Sequence, residues 1–201
     1  MKRIIPTTAF LSILLVATVA SAQFREGTTL LTFDVGSVLA TSEYSSEDVT
    51  GTVAGFTLEK VLGRGTFNAG LAVIWVKGDE TVKIQDGTEE KITYTSVPFF
   101  LTGRWNFLNS SFAANIGLGI GIHSSTRKLH EGTTEELAST TIGTALSIPI
   151  EVAYFVDPDF YLQAVYTPSW MDGTPLRDDI AHSFALGLGF VWGGEQDTTA
   201  K

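Results

Sequence analysis

Between Ser111 and His123 the large apolar side chains Phe112, Ile116, Leu118, Ile120 and Ile122 alternate with Ala113, Asn115, Gly117, Gly119 and Gly121. A repeat of two belongs to a β-strand, whose successive side chains point to opposite faces. One face here is bulky and apolar; the other is nearly bare. That combination suits a strand whose outer face meets lipid while its inner face lines the crowded interior of a narrow barrel.

Alternation and turn residues along the rest of the chain predict eight strands, at 28–39, 52–61, 66–77, 91–105, 111–123, 141–155, 160–170 and 182–192. The connectors alternate in length: 40–51, 78–90, 124–140 and 171–181 are long, whereas 62–65, 106–110 and 156–159 are short. Long outer loops and short periplasmic turns in strict rotation are the pattern of an eight-stranded antiparallel up-and-down transmembrane β-barrel, an all-β fold. An even strand count places both termini on the periplasmic side. Each strand reaches the roughly 9 to 11 residues that a tilted spanning strand requires.

The two faces can be assigned from the alternation. Leu31, Phe33, Val35, Phe56, Leu58, Leu71, Trp75, Phe99, Leu101, Leu146, Leu162 and Leu186 are expected to point outward. Asp34, Thr57, Glu59, Asn68, Thr102, Arg104, Asn115, Ser147, Glu151, Gln163 and Thr167 are expected to point inward. A soluble eight-stranded ligand carrier would need these faces exchanged, with a hydrated exterior and an apolar lumen. Trp75 and Trp170 fall at the loop ends of their strands, and Trp105 and Trp192 at the turn ends. This spacing matches two aromatic girdles at the membrane interfaces.

Export is written into the start of the chain. Lys2 and Arg3 precede an apolar run from Ala9 to Ala20, followed by Ala20-Ser21-Ala22, which is the order of a secretory signal peptide cleaved after Ala22. The apolar run is too short for a spanning helix. The expected organisation is signal peptide 1–22, barrel 23–192 and a short periplasmic tail 193–201. The chain has no cysteine, which excludes a disulfide framework and a lipidated cysteine. Loss of Lys2 and Arg3 takes the formal charge from −9 to −9 − 2 = −11, which argues against a nucleic-acid partner. Acidic residues concentrate in the long connectors: Glu43, Glu47 and Asp48; Asp79, Glu80, Asp86, Glu89 and Glu90; Glu131, Glu135 and Glu136; Asp172, Asp178 and Asp179.

Leader, eight strands and acidic loops together resemble the small outer-membrane barrels of the OmpA transmembrane-domain and OmpX type, over nearly the whole mature chain. Val97-Pro98-Phe99-Phe100-Leu101-Thr102-Gly103-Arg104-Trp105 looks like a mid-barrel strand of that group. Phe184 to Trp192 resembles the terminal strand read by the barrel-assembly machinery, although the chain continues past the aromatic to Lys201. The resemblance implies an outer-membrane protein of a Gram-negative-type bacterium, monomeric, in contact with outer-membrane lipids and lipopolysaccharide.

Two constellations carry chemistry. Glu59 and Arg104 fall near the periplasmic turns, with Glu151 somewhat higher and Asp34 a further member. An arginine among carboxylates in a narrow lumen is the expected arrangement, since buried charges are costly unless paired. It can act as a fixed plug or as a gate for a narrow ion path. His123 and Ser125, two apart on one strand face, could serve as base and nucleophile and loosely resemble the His-x-Ser pair of lipid A deacylase barrels. No orienting acid can be identified for them. His130 and His182 stand isolated, and no His, Cys and carboxylate spacing marks a zinc site, so neither metal nor cofactor is expected. The expected function is therefore a non-enzymatic barrel with a structural or surface-interaction role, its acidic loops presented to an extracellular ligand or cell surface. A small ion or solute channel and a lipid A-modifying enzyme are the alternatives.

Overall fold

The computed structural model describes residues 24–42, 48–83, 89–109, 111–131, 134–172 and 176–193; the expected leader and all but the first residue of the tail lie outside them. The strands are β1 (Thr28–Ser42), β2 (Asp48–Leu62), β3 (Phe67–Lys83), β4 (Glu89–Asn109), β5 (Phe112–Glu131), β6 (Thr134–Ser147), β7 (Ile150–Asp157), β8 (Phe160–Met171) and β9 (Leu176–Gly193). Every pairing is antiparallel, and β1 pairs with both β2 and β9, which closes the sheet into a ring. Segments β6 and β7 share β5 and β8 as neighbours and form one stave, so the barrel has eight.

The sixth stave was expected to run unbroken over 141–155, but the ladder lapses at Ile148 and Pro149. Proline has no N–H to give a ladder. The stave keeps its place because Gly117 N donates to Pro149 O at 2.8 Å and Ile148 N donates to Pro168 O at 3.0 Å. Register against β5 is the same on both sides, Gly119 facing Ser147 and Ile116 facing Ile150.

Following the register once around the ring from Leu30 passes Glu59, Gly70, Thr102, Gly119, Ser147, Ser169 and Ala181 and arrives at Ala40, ten residues along β1. A stagger of this size goes with strands tilted by roughly 35–45° and an interior just wide enough for side chains to fill. The strands are longer than expected on the loop side. Pairing of β5 with β6 continues from Ser124–Ile142 to Glu131–Thr134, so most of the expected connector 124–140 is hairpin ladder. Likewise β3 and β4 remain paired as far as Lys83 and Glu89.

The outside of the barrel is apolar. Val35, Leu101, Leu118, Ile120, Ile142 and Leu186 are each more than half exposed, and Phe33, Phe56, Leu58, Leu71, Phe99 and Leu162 also present their side chains outward. The inward set is buried, apart from Asp34, which is half-buried.

The interior is less bare than the alternation implied. At the turn end Phe24, Phe155 and Tyr161 form a cluster of buried rings, with centroids 5.1, 5.2 and 6.0 Å apart, packed with Leu30, Val61 and Val191. Toward the loop end Phe100 and Met171 pack with Val38, Val49 and Ala145. Charged and polar groups lie between these two apolar layers. The inward glycines are what make room: a Cβ on Gly189 would lie 1.9 Å from Cζ of Tyr161, and one on Gly119 would lie 2.3 Å from Oγ of Ser147. The small residues of β5 and β9 thus receive large side chains from facing strands. Gly189→Ala is expected to cost about 1–3 kcal/mol through overpacking of the Tyr161 ring, read as a lower urea midpoint of the folded barrel. An unchanged midpoint would mean that the ring is free to move aside.

Candidate functional site

Strand alternation turns Glu59 of β2, Arg104 of β4 and Glu151 of β7 toward one point, and all three are buried. Arg104 Nε lies 2.9 Å from Glu59 Oε1, and Arg104 Nη1 donates to Glu151 Oε2. Both carboxylates reach the same guanidinium. Two neutral side chains add donors to these carboxylates. Thr102 Oγ1 donates to Glu59 Oε1 at 2.9 Å, and Asn115 Nδ2 donates to Glu151 Oε1 at 3.0 Å.

Asp34 belongs to this layer but makes a different contact, accepting from Gln163 Nε2 at 2.7 Å. It shares a cavity of about 40 Å³ with Arg104, bordered also by Thr57, Thr102, Ser147, Thr167 and Ser183. Below it, Thr32 Oγ1 and Tyr161 OH are 2.9 Å apart, linking the charged layer to the turn-end rings. The supporting roles of Thr102, Asn115, Gln163 and Tyr161 were not assigned from the sequence. Their signal was present in the alternation, since each is polar at an inward position, but partner choice depends on how distant strands meet.

His123 and Ser125 are adjacent, with Nδ1 2.8 Å from Ser125 Oγ. His123 is 1% exposed and faces the interior, and its Nε2 donates to the carbonyl of Asp172 at 2.8 Å. Ser125 Oγ donates in turn to Ser96 Oγ at 2.9 Å, and Ser96 to Met171 Sδ at 3.6 Å. The pair is therefore part of an internal chain tying β5 to β4 and to the end of β8. His182 is not isolated as expected: its Nδ1 lies 2.8 Å from Tyr166 OH and the two rings are parallel within 3°. The side chain of His130 lies outside the described residues. Among the described residues no group of three or more His, Cys, Asp or Glu side chains is placed to hold a metal ion.

Trp75, Trp105 and Trp192 are exposed on the outer face and Trp170 is half-buried there. Trp75, expected at the loop end of its strand, falls at the middle of β3, which continues past it to Lys83, whereas Trp105 pairs with Phe67 and Trp192 with Thr29, at the turn ends. Among the connector acids, Asp79 is part of the β3–β4 ladder and not of a free loop. Thr93 Oγ1 donates to it at 2.7 Å and Lys91 Nζ lies 3.1 Å away. Burial works against its charge, but the bonds from Thr93 and Lys91 outweigh it and hold the carboxyl below its ordinary range.

No protein-family model and no curated protein matches the sequence. Solved structures do. Neisserial surface protein A (NspA) superposes with a TM-score of 0.52 at 15% identity, over 82% of this chain and 99% of that one. The outer membrane protein OprG from Pseudomonas aeruginosa superposes with a TM-score of 0.53 at 12% identity, over 87% of this chain and 100% of that one. At such identities the likeness is one of fold, and the fold is that of the small eight-stranded outer-membrane β-barrels.

Proposed function

We propose that the chain is a non-enzymatic outer-membrane barrel that stays closed and has a structural or surface-interaction role through its loop end. The observation that carries this reading is the filled interior: the Phe24, Phe155 and Tyr161 rings occupy the turn end and the Arg104 ion pairs the layer above them, with a cavity of about 40 Å³ beside Arg104. A barrel of this size is expected to be packed, not hollow. The exposed apolar exterior supports insertion into a bilayer, with Trp75 and Trp170 at one interface and Trp105 and Trp192 at the other. The fold's export context supports the outer membrane, with lipids and lipopolysaccharide as neighbours and the barrel-assembly machinery as the inserting partner. Among the described residues the closed ring leaves no sheet edge for a second copy, which supports a monomer.

The acidic, hairpin-extended loop end is the part available to an extracellular ligand or cell surface. An ester-cleaving role for His123 and Ser125 is disfavoured by their placement, since a lipid ester outside the barrel cannot reach a histidine buried within it. The single test is conductance in planar bilayers. The purified full chain is expected to insert without stable channel steps. Steps that change on Glu59→Gln or Arg104→Lys would replace the closed reading with an ion path through the charged layer.

A further inference from the structure

The outer wall carries its loop-side positive charge on one side only. In a chain with a strong net negative charge, the Lys and Arg side chains of the described residues fall into three groups. Arg25, Lys60 and Arg64 are exposed at the turn end, and Arg104 and Arg127 hold inward positions on β4 and β5. Lys77, Lys91 and Lys128 lie on the outward face of β3, β4 and β5, in phase with the outward Trp75, Val97 and Ile122. Among the described residues no other Lys or Arg occupies the outward face of the loop-side half.

The ladder places these three where the apolar belt ends. Along β4, Thr95 is ten residues from the turn-side Trp105 (105 − 95), and a tilted strand spans the hydrocarbon in roughly 9 to 11. Lys77 pairs with Thr95, Lys128 pairs with Thr93, and Lys91 lies two residues beyond Thr93. The cations therefore stand at and just above the level where acyl chains give way to headgroups. Lys91 Nζ is 3.1 Å from Asp79 and its side chain is 58% exposed. An ammonium has three donors, so one contact with Asp79 does not exhaust it. Thr95 and Thr126 put hydroxyls between the lysines, and Thr126 Oγ1 lies 3.2 Å from Thr140 Oγ1 on the next stave.

We propose that Lys77, Lys91 and Lys128 seat the phosphate groups of one outer-leaflet lipopolysaccharide, whose acyl chains lie on the apolar wall below, along Trp75, Val97 and Ile122. The proposal rests on the reading of the chain as an outer-membrane barrel and names the side of it that holds this lipid. Lysine binds phosphate as a point charge, and threonine hydroxyls can donate beside it. Three cations on three neighbouring strands, continuous with an apolar belt, match an amphiphile that carries several phosphates above a bundle of acyl chains. A soluble polyanion would use the cations and leave the belt unused.

The test is binding of fluorescently labelled lipopolysaccharide to the full mature chain folded in neutral-detergent micelles, with EDTA present so that no divalent ion bridges the lipid to Asp79. Lys77→Gln combined with Lys91→Gln and Lys128→Gln is expected to weaken binding by about tenfold or more. A similar loss is expected when the wild type meets lipopolysaccharide stripped of its phosphates. Arg25→Gln combined with Lys60→Gln and Arg64→Gln removes as much charge at the turn end and is expected to leave the affinity unchanged. These six side chains are exposed or half-buried, and their replacement is expected to leave the urea midpoint in phosphatidylcholine vesicles near that of the wild type. Undiminished binding by the Lys77, Lys91 and Lys128 variant, or of the dephosphorylated lipid, would overturn the proposal. So would an equal loss in the turn-end variant, which would make the effect one of net charge. Equal competition by phosphatidylglycerol would overturn the assignment to lipopolysaccharide, and tighter, lysine-dependent binding of a soluble sulfated polysaccharide would move the partner outside the membrane. Failure of the wild type to insert into phosphatidylcholine vesicles would instead sink the membrane reading, and it is observed with no lipopolysaccharide present.

Discussion

Arg104→Ala is expected to lower the stability of the barrel by about 3–5 kcal/mol, because it leaves two carboxylates buried without their counter-charge. Glu59 and Glu151 are almost inaccessible, and their other partners, Thr102 and Asn115, are neutral. Neutral donors cannot replace a guanidinium that contacts both acids at once. The measurement is the urea midpoint in lipid vesicles, compared with a triple variant, Arg104→Met with Glu59→Gln and Glu151→Gln. That variant removes all three charges and is expected to recover most of the loss, as neutral replacements of buried ion pairs do. A loss below about 1 kcal/mol for Arg104→Ala would mean that water reaches the carboxylates, since only solvated pairs are worth so little. The filled interior would then not be sealed at its middle.

On the opposite side of the same wall, Leu101→Arg is expected to cost about 2–4 kcal/mol in a bilayer, the penalty for a cation on the lipid face near mid-depth. Leu101 is 58% exposed and lies in a row with Leu71 and Ile120, between the loop-side Trp75 and the turn-side Trp105. In water an exposed leucine is replaced at little cost, usually within about 0.5 kcal/mol. The substitution therefore separates a lipid-facing exterior from a hydrated one. Folding of Leu101→Arg into vesicles with the wild-type midpoint would refute the membrane orientation of this face.

Comparison of sequence with structure shows where alternation is informative. Within the bilayer one face meets lipid and the other meets packed side chains, so the period of two stands out, as in Ile116 to Ile122. Beyond the bilayer both faces of a hairpin meet water. Residues such as Ser124 to Glu131 then lose the contrast although their ladder continues to Thr134, and they read as loop. Ile148-Pro149 was visible as a proline but not as an interruption, because the flanking residues keep the alternation that the register preserves. The ring cluster was missed because its members Phe24, Phe155 and Tyr161 come from separate segments, and the inward position of Tyr161 does not by itself say what it packs against. The members of the charged layer were legible one by one from their inward positions. That they pair followed from the cost of burying unpaired charge; which carboxylates reach the guanidinium did not, because Glu59, Arg104 and Glu151 come from staves that meet only when the ring forms.

The closing pair of that ring joins the first strand of the chain to the last, from Thr28 opposite Gly193 to Ala40 opposite Ala181. Until β9 is made, β1 has an open edge, and an open edge within lipid has no water to satisfy it. Contacts between such distant parts of a chain also form late, since the whole intervening loop must be ordered first. A chain stopped anywhere before β9 is therefore not a shorter barrel but an unfinished one with two bare edges. The last eighteen residues of sheet, Leu176 to Gly193, decide whether the preceding strands become a membrane protein at all.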